Sequence, residues 1–175
     1  MATEGTVPGT AHGRGHDTRL RLSGQAFVTN NQGHPLMVTR PSGELELPGG
    51  VAVGEEPALQ PVAYHLRRLG LTTRPGPVLL VDHVEATPLG AVGDRLNFIF
   101  GCGELSPGEI ASIGSPKLPD DVTSWQFVDL KYFHAGITPY HRRCLDAAVA
   151  TLTSGARTPY LRNALRISAQ LSVPA

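Results

Sequence analysis

The feature that most constrains the fold is the stretch LPGGVAVGEEPALQPVAYHLRRLGL, residues 47–71. A glycine pair opens it and Gly70 closes it, which predicts a tight loop followed by a helix that stops at Gly70. Pro57 is expected to begin this helix, whereas Pro61 predicts a helix that starts late or bends. Three apolar residues at i, i+4 and i+7 predict one core-facing side. They are Val62, Leu66 and Leu69.

Strand patterns dominate the middle of the chain, and helix patterns flank them. The clearest helix has Thr138 as its N-cap, Pro139 at its first position and Gly155 at its end. This mixture predicts the α+β class, a mixed sheet covered by helices. Strands are predicted over 18–30, 35–40, 77–86, 95–105 and 123–130, and helices over 106–113, 131–137 and 138–155, the last with an apolar stripe of Leu145, Ala148, Val149 and Leu152.

Length and composition predict one domain that does not bind nucleic acid or a membrane. The 175 residues include 15 basic and 15 acidic side chains, so no excess charge favours either partner. No apolar run reaches the roughly 20 residues that span a bilayer, and two cysteines are too few for a disulfide framework. We expect a cytoplasmic protein with a flexible tail over 1–17, a domain over 18–161 and a C-terminal tail over 162–175.

The order of strand, hairpin, LPGG loop, Gly-Glu, helix and Gly-Leu resembles the Nudix (MutT-like) family. The resemblance continues through the downstream strands and the last helix, and it covers roughly residues 18–161. It implies a Nudix-type α/β/α sandwich around a mixed β-sheet. It also implies hydrolysis of a nucleoside diphosphate linked to another group, assisted by magnesium or manganese.

The family's sequence box is not intact in this chain. Only four residues separate Gly50 from Glu55, where the family has five. Counting onward places Tyr64 at the first helical glutamate of the box, and Arg67 and Arg68 at the glutamate pair. Magnesium needs oxygen ligands, which guanidinium groups cannot supply. We therefore expect neither conventional metal-dependent hydrolysis nor a bound metal or other cofactor.

The box residues that replace the glutamates have two interpretations each. Arg67 and Arg68 either complement the helix dipole at a solvated helix end, or bind an anion where the metal would lie. Tyr64 either packs at the rim of the cleft or contacts a ligand. His65, at an apolar position of the family, is expected to be a half-buried histidine with its hydrogen bonds satisfied.

Candidates for acid–base chemistry lie beyond the helix. His83 is a candidate general acid or base if its face of the strand lines the cleft, and Asp82 replaces it if the other face does. Asp120 and Asp121 lie in a loop where many relatives place a further catalytic carboxylate, although a turn alone would explain both. Together with Glu55 they could support metal-free proton transfer.

Substrate contacts are implied at Arg95 and Asn97, because their strand carries such contacts in the family. Glu46 is expected at an exposed strand position. Nothing in the spacing or neighbours of His134 and His141 indicates a ligand set.

Three functions from different classes remain open. The first is a metal-independent enzyme that catalyses an isomerisation, cyclisation or elimination of a small molecule, either neutral or anionic. The second is a pseudoenzyme that binds a ligand or a protein partner without turnover. The third is a weak hydrolase that uses Glu55, Glu56, Asp120 and Asp121. A homodimer is compatible with the resemblance, but no residue pattern marks an interface.

Overall fold

A computed structural model describes residues 20–86, 94–114, 118–132, 134–155 and 157–166. The predicted tail over 1–17 and most of the loop over 87–94 lie outside the described residues. No helix in the described ranges is long and apolar enough to cross a membrane. The elements in chain order are β1 (Arg21–Thr29), β2 (Leu36–Thr39), β3 (Leu45–Glu46), β4 (Gly49–Val51), α1 (Leu59–Arg68), β5 (Val78–Val84), β6 (Arg95–Glu104), α2 (Pro107–Ser112), β7 (Ser124–Phe127), α3 (Pro139–Ser154), β8 (Tyr160–Arg162) and β9 (Leu165–Arg166).

The strands form two sheets. The larger is mixed and has the order β4-β1-β6-β5-β8-β9, with parallel pairing between β1 and β6 and between β5 and β8. The smaller is antiparallel and has the order β3-β2-β7. One hydrophobic core lies on the side of α1 and α2, and the other on the side of α3. This confirms the predicted α+β sandwich around a mixed sheet, and adds a second sheet that the sequence patterns do not predict.

Helix α1 starts late, as Pro61 predicts. It begins at Leu59, so Pro61 lies in the first turn, where its missing N–H has no intrahelical partner to lose. The prediction that Pro57 begins the helix is wrong. The preceding residues form a turn instead, in which the Glu56 N–H donates to the Val53 carbonyl at 3.2 Å and the Glu56 carboxylate accepts from the Val53 N–H at 3.1 Å.

The end of α1 matches the prediction. Gly70 has a φ of 85° and its N–H donates to the Arg67 carbonyl, while the Leu71 N–H reaches back to the Leu66 carbonyl at 2.9 Å. These two bonds form a Schellman motif, which needs a left-handed residue at the position of Gly70. The predicted stripe of Val62, Leu66 and Leu69 is buried.

Helix α3 has the predicted ends but a slightly different buried face. Thr138 caps it and Gly155 ends it in the left-handed region. Its buried residues are Cys144, Leu145 and Ala148. Leu152, predicted to face the core, is exposed, because α3 extends past the part that packs on the sheet.

The helical turn predicted over 131–137 does not form among its described residues. These residues make turns, and the Gly136 carbonyl accepts from the Leu45 N–H at 2.8 Å. Gly136 lies so near Leu45 that an added Cβ would be 3.1 Å from its side chain. The backbone there therefore makes one bond to β3 and one turn bond of its own, from the Ile137 N–H to the His134 carbonyl at 3.0 Å, instead of a helix.

A hairpin of β8 and β9 extends the larger sheet at the C-terminal side. Its turn residues Asn163 and Ala164 both have positive φ, and the Asn163 N–H donates to the His83 carbonyl at 2.9 Å. The sheet continues to Arg166, so the domain boundary predicted at residue 161 falls inside β8.

Candidate functional site

A polar cluster forms the floor of the candidate site on the α3 side of the sheet. Ser23 and Asn97 are paired across β1 and β6, and Gln25 lies two residues beyond Ser23. The Ser23 hydroxyl donates to Asn97 Oδ1 at 3.0 Å, and Asn97 Nδ2 donates to Gln25 Oε1 at 3.1 Å. All three residues are buried. Because they satisfy one another, the sheet carries polar groups here at little cost.

A cavity of about 280 Å³ lies above this floor, and we call it the Arg95 cavity. Five elements contribute to it, including the first turn of α3, whose N-terminal end carries a partial positive charge. Its lining residues are Ser23, Gln25, Arg40, Glu46, Gly50, Val51, Arg95, Asn97, Asp121, Tyr140 and His141.

Arg40 is fully engaged by its neighbours in this cavity. Its Nε donates to Glu46 at 3.0 Å, its Nη1 donates to Asp121, and its Nη2 donates to the Gly49 carbonyl at 2.7 Å. Arg40 thus holds both carboxylates of the cavity as counter-ions and links three segments that are distant in sequence.

Arg95 differs from Arg40, although both line the same cavity. Its side chain makes no hydrogen bond or ion pair with the residues that the structure describes, and its Nε is buried without a partner. A partly buried guanidinium without a counter-ion is unfavourable, because it has lost water without gaining a partner. This side chain therefore indicates an anion-binding position.

His141 lies beside these charges at the start of α3. Its Nδ1 is 3.1 Å from the Thr138 hydroxyl and its Nε2 is 3.6 Å from Glu46 Oε1. Burial lowers the pKa of His141 below 6.5, and the nearby Glu46 carboxylate opposes this effect in part. The imidazole is therefore neutral near pH 7, the form that can accept a proton.

A second cavity of about 360 Å³ adjoins the first, and we call it the Tyr64 cavity. His65, at its wall, is buried with Nε2 3.6 Å from Asp121 Oδ2, and its Nδ1 has no partner. Burial also lowers the pKa of His65, against the raising effect of Asp121. The lining residues are Gly50, Val51, Val53, Glu56, Gln60, Pro61, Tyr64, His65 and Asp121, of which Gly50, Val51 and Asp121 also line the Arg95 cavity.

The face of β5 that lies on the cavity side carries Asp82, not His83. Asp82 is paired with Asn97 of the polar floor and is fully buried. It accepts hydrogen bonds from the Tyr140 hydroxyl and from the Ala164 N–H, both at 2.8 Å. Burial is the main cause that raises the pKa of Tyr140. Asp82 thus positions Tyr140 at the cavity wall rather than lining the cavity itself.

His83 lies on the other face of β5, away from both cavities. It is half-buried, with Nε2 3.7 Å from Asp94 Oδ1. His83 therefore does not line the cleft, and the cavity side of β5 carries Asp82 instead.

The arginines of the box lie outside both cavities. Arg67 is exposed, and Arg68 Nη2 donates to the Leu118 carbonyl at 3.4 Å. Glu55 is exposed and makes no contact of this kind with described residues.

Half of the sequence candidates meet at the two cavities and half do not. Asp120 is exposed and lines neither cavity, although its neighbour Asp121 lines both. His65 is buried instead of half-buried, and its Nδ1 has no partner among the described residues, so the expected satisfied histidine is not what forms. The residues brought together are Tyr64, His65, Arg95, Asn97 and Asp121, and those left outside are Glu55, Arg67, Arg68, His83 and Asp120.

Sequence reasoning missed several cavity residues. Glu46 was expected to be exposed, but its side chain is only 20% exposed and pairs with Arg40. His141 had no expected role and lies at the centre of the site. The polar residues Ser23 and Gln25, on alternate positions of an otherwise apolar strand, were an available signal.

The residues do not fit the metal that the resemblance implies. No group of three or more His, Cys, Asp or Glu side chains in the described ranges is arranged to hold a metal ion. The box positions that would carry carboxylates hold Tyr64, Arg67 and Arg68.

Solved structures of Nudix proteins share this fold. The MutT protein from Methanosarcina mazei Go1 matches with a TM-score of 0.62 and 18% identity over 78% of this chain and 98% of that one. A NUDIX hydrolase from Nitrosomonas europaea matches with a TM-score of 0.56 and 19% identity over 81% and 93%.

An ADP-ribose pyrophosphatase from Streptococcus suis 89-1591 matches with a TM-score of 0.55 and 15% identity over 81% of this chain and 98% of that one. No protein-family model matches the sequence, and no curated protein matches it. The chain therefore has the Nudix fold, as the resemblance implies, and at these identities the likeness extends to the fold alone.

Proposed function

We propose that this protein is a metal-independent enzyme that binds a small anionic molecule at Arg95 and transfers protons through His141. The observation that carries the proposal is the partly buried guanidinium of Arg95, which has no partner among the described residues and lines a cavity that also holds His141. A guanidinium binds carboxylate or phosphate well, because its donors match two oxygens at once.

His141 is suited to proton transfer by its surroundings. The Thr138 hydroxyl can either donate to Nδ1 or accept from it, so Nε2 can either accept a proton or carry one. Glu46, held by Arg40, lies where it stabilises the imidazolium that forms when His141 accepts a proton.

The reaction class that fits this arrangement is proton abstraction next to a carbonyl, followed by isomerisation, cyclisation or elimination. Removal of the proton creates an enolate, and the positive charge of Arg95 stabilises the negative charge of that enolate. His141 takes the proton as a base and returns it as an acid, so no external reagent is consumed.

A second function, ligand binding without turnover, has one observation in its favour. Arg40 engages Glu46 and Asp121 together, so both carboxylates of the cavity are committed as counter-ions. If His141 also only lines the cavity in its neutral form, without transferring protons, the Arg95 cavity binds its anion and catalyses no reaction. A cytoplasmic location and a homodimer stay predictions from the sequence.

Binding is tested with small anions in the presence of EDTA. We expect acetate, pyruvate or inorganic phosphate to shift Arg95 signals in NMR spectra and to raise the melting temperature. Arg95→Gln should abolish both effects, whereas Arg67→Gln, on the exposed side of α1, should leave them unchanged. Equal loss in the two variants, or no response to any anion, would contradict the proposal.

Turnover is tested by exchange of carbon-bound protons of 2-oxo and 3-oxo acids in deuterated water. We expect the wild type to catalyse this exchange without a metal and His141→Gln to abolish it while the anion still binds. His83→Gln is the matched control, because His83 lies outside both cavities. Binding without exchange would favour the second function, and magnesium-dependent cleavage of nucleoside diphosphates would overturn both.

A further inference from the structure

The Tyr64 cavity has a different character from the Arg95 cavity that it adjoins. Val51, Val53, Pro61 and Tyr64 contribute apolar surface to it. Val53 is 75% exposed and Tyr64 is 44% exposed, so large apolar side chains surround the opening instead of packing in the core. Clustered apolar side chains at the rim of a cavity are typical of a ligand-binding surface.

We propose that the two cavities form one site for an amphipathic anion. Its carboxylate or phosphate group binds Arg95, and its apolar tail lies against Val51, Val53 and Tyr64. The inference rests on the proposed function, because it places the same anion at Arg95 and adds the tail.

Gly50 keeps the two cavities open to each other. It lines both, and its backbone has a φ that other residues also adopt, so strand β4 does not require glycine there. An added Cβ would find only His65 Nε2 nearby, at 3.8 Å, and would therefore project into the space between the cavities. The missing side chain leaves a passage for a ligand that spans both.

The charges of the Tyr64 cavity favour an uncharged tail. No lysine or arginine is among its described lining residues, and both of its carboxylates are engaged. Glu56 accepts from the Val53 N–H, and Asp121 accepts from Arg40. His65 is neutral near pH 7, because burial lowers its pKa. A second phosphate on the ligand would therefore lie near the Glu56 and Asp121 carboxylates, and no lysine or arginine lining this cavity would neutralise it.

The volumes also favour one ligand across both cavities. The Arg95 cavity measures about 280 Å³ and the Tyr64 cavity about 360 Å³. Ligand pockets usually span about 300–1,000 Å³, so the Arg95 cavity alone falls just below that range and the Tyr64 cavity lies near its lower end. The head group binds in the first, and the tail continues past Gly50 into the second.

The test is a series of linear carboxylates, from acetate through butanoate and hexanoate to octanoate, titrated by calorimetry below their micelle concentrations. The corresponding alkyl phosphates form a second series. We expect affinity to rise by up to about fourfold for each methylene that enters the Tyr64 cavity. A gain in either series supports the proposal, and the tighter series identifies the head group.

Two variants locate the gain. Val53→Asp changes a residue that is 75% exposed, so the fold is retained, and it should abolish the chain-length gain while acetate binds unchanged. Gly50→Val should reduce octanoate to the affinity of acetate by filling the passage. Gly108→Val is its control, because a Cβ at Gly108 meets nothing within 4 Å.

The outcomes separate the inference from the function on which it rests. If acetate or phosphate binds in an Arg95-dependent way but affinity does not rise with chain length, the inference is wrong and the proposed function stands. If the gain survives Val53→Asp, the tail lies elsewhere and the inference is also wrong. If no anion of either series binds, both fail. Should Gly50→Val not fold, Val53→Asp decides alone.

Discussion

Two regions of this molecule differ in where their polar side chains lie. The C-terminal half of α1, where the family resemblance places metal-binding glutamates, carries Arg67 in solvent and Arg68 on the Leu118 carbonyl. The start of α3, which carries no motif of the family's box, holds His141 and Tyr140 over a polar sheet surface. The comparison teaches that the proposed site lies against the helix opposite to the one that carries the box.

The largest expected effect concerns the α3 region. Asp82→Ala removes the acceptor of two buried donors, the Tyr140 hydroxyl and the Ala164 N–H. We expect it to lower the free energy of unfolding by about 2–6 kcal/mol, since each of the two donors left unpaired costs roughly 1–3 kcal/mol. Urea denaturation measures the loss. A change within about 0.5 kcal/mol would mean that the hairpin and α3 are not joined through Asp82.

The next effect separates the two regions by ligand affinity. Arg95→Gln is expected to weaken binding of small carboxylates or phosphates by about 10- to 150-fold, the range for a charge-assisted hydrogen bond. Arg67→Gln, its counterpart on α1, should change affinity by less than about twofold, since a screened surface charge contributes little. Calorimetric titration of both variants checks the contrast, and a comparable loss in Arg67→Gln would restore α1 as an anion site.

A pH-dependent effect should appear in both regions. Burial lowers the pKa of His65 and of His141 below 6.5, so each binds its proton more weakly in the folded than in the unfolded state. Their contribution to stability is complete above about pH 6.5 and is lost as the pH falls toward their lowered pKa values, with a slope of at most about 1.4 kcal/mol per pH unit for each histidine.

Urea denaturation between about pH 7.5 and pH 5 measures this slope, in a range where histidine is the side chain that titrates. His65→Gln and His141→Gln should each make the stability less dependent on pH. His134→Gln is the control, because His134 is half-buried against the Asp129 carbonyl and lines neither cavity. A slope unchanged in both cavity variants would show that burial does not perturb either histidine.

The smallest effect lies at the box arginines. Arg68→Ala removes the hydrogen bond to the Leu118 carbonyl and should lower the free energy of unfolding by about 0.5–1.5 kcal/mol. Arg67→Ala should stay within about 0.5 kcal/mol, as exposed substitutions usually do. Thermal melts of the two variants give the ranking, and a larger loss for Arg67→Ala would reverse it.

Local signals explain what the sequence could predict. Gly70 and Gly155 end their helices in the left-handed conformation, and Ser106 and Thr138 cap theirs with a side-chain oxygen. Such motifs depend on a few neighbouring residues, so they can be recognised from the sequence alone. The order of these elements was enough to identify the Nudix fold.

Distant contacts explain what the sequence could not predict. Arg40 pairs with Asp121, which lies 81 positions away in the sequence. Only the folded chain shows that Arg40 also pairs with Glu46, and that Arg95 has no such partner among the described residues. The sequence also could not decide which face of β5 lies toward the site, because alternation defines two faces but not which of them packs against α3. His141 follows a helix cap that is common in structures without active sites.

The hairpin of β8 and β9 has a consequence for how the protein is made. Its Ala164 N–H donates to Asp82, and Asp82 in turn holds the Tyr140 hydroxyl at the wall of the Arg95 cavity. A nascent chain that has not yet released residues 160–166 from the ribosome has every lining residue of that cavity but lacks the donor that completes Asp82. The pocket therefore reaches its final form only once β8 and β9 have left the ribosome, after all the residues that line it have been translated.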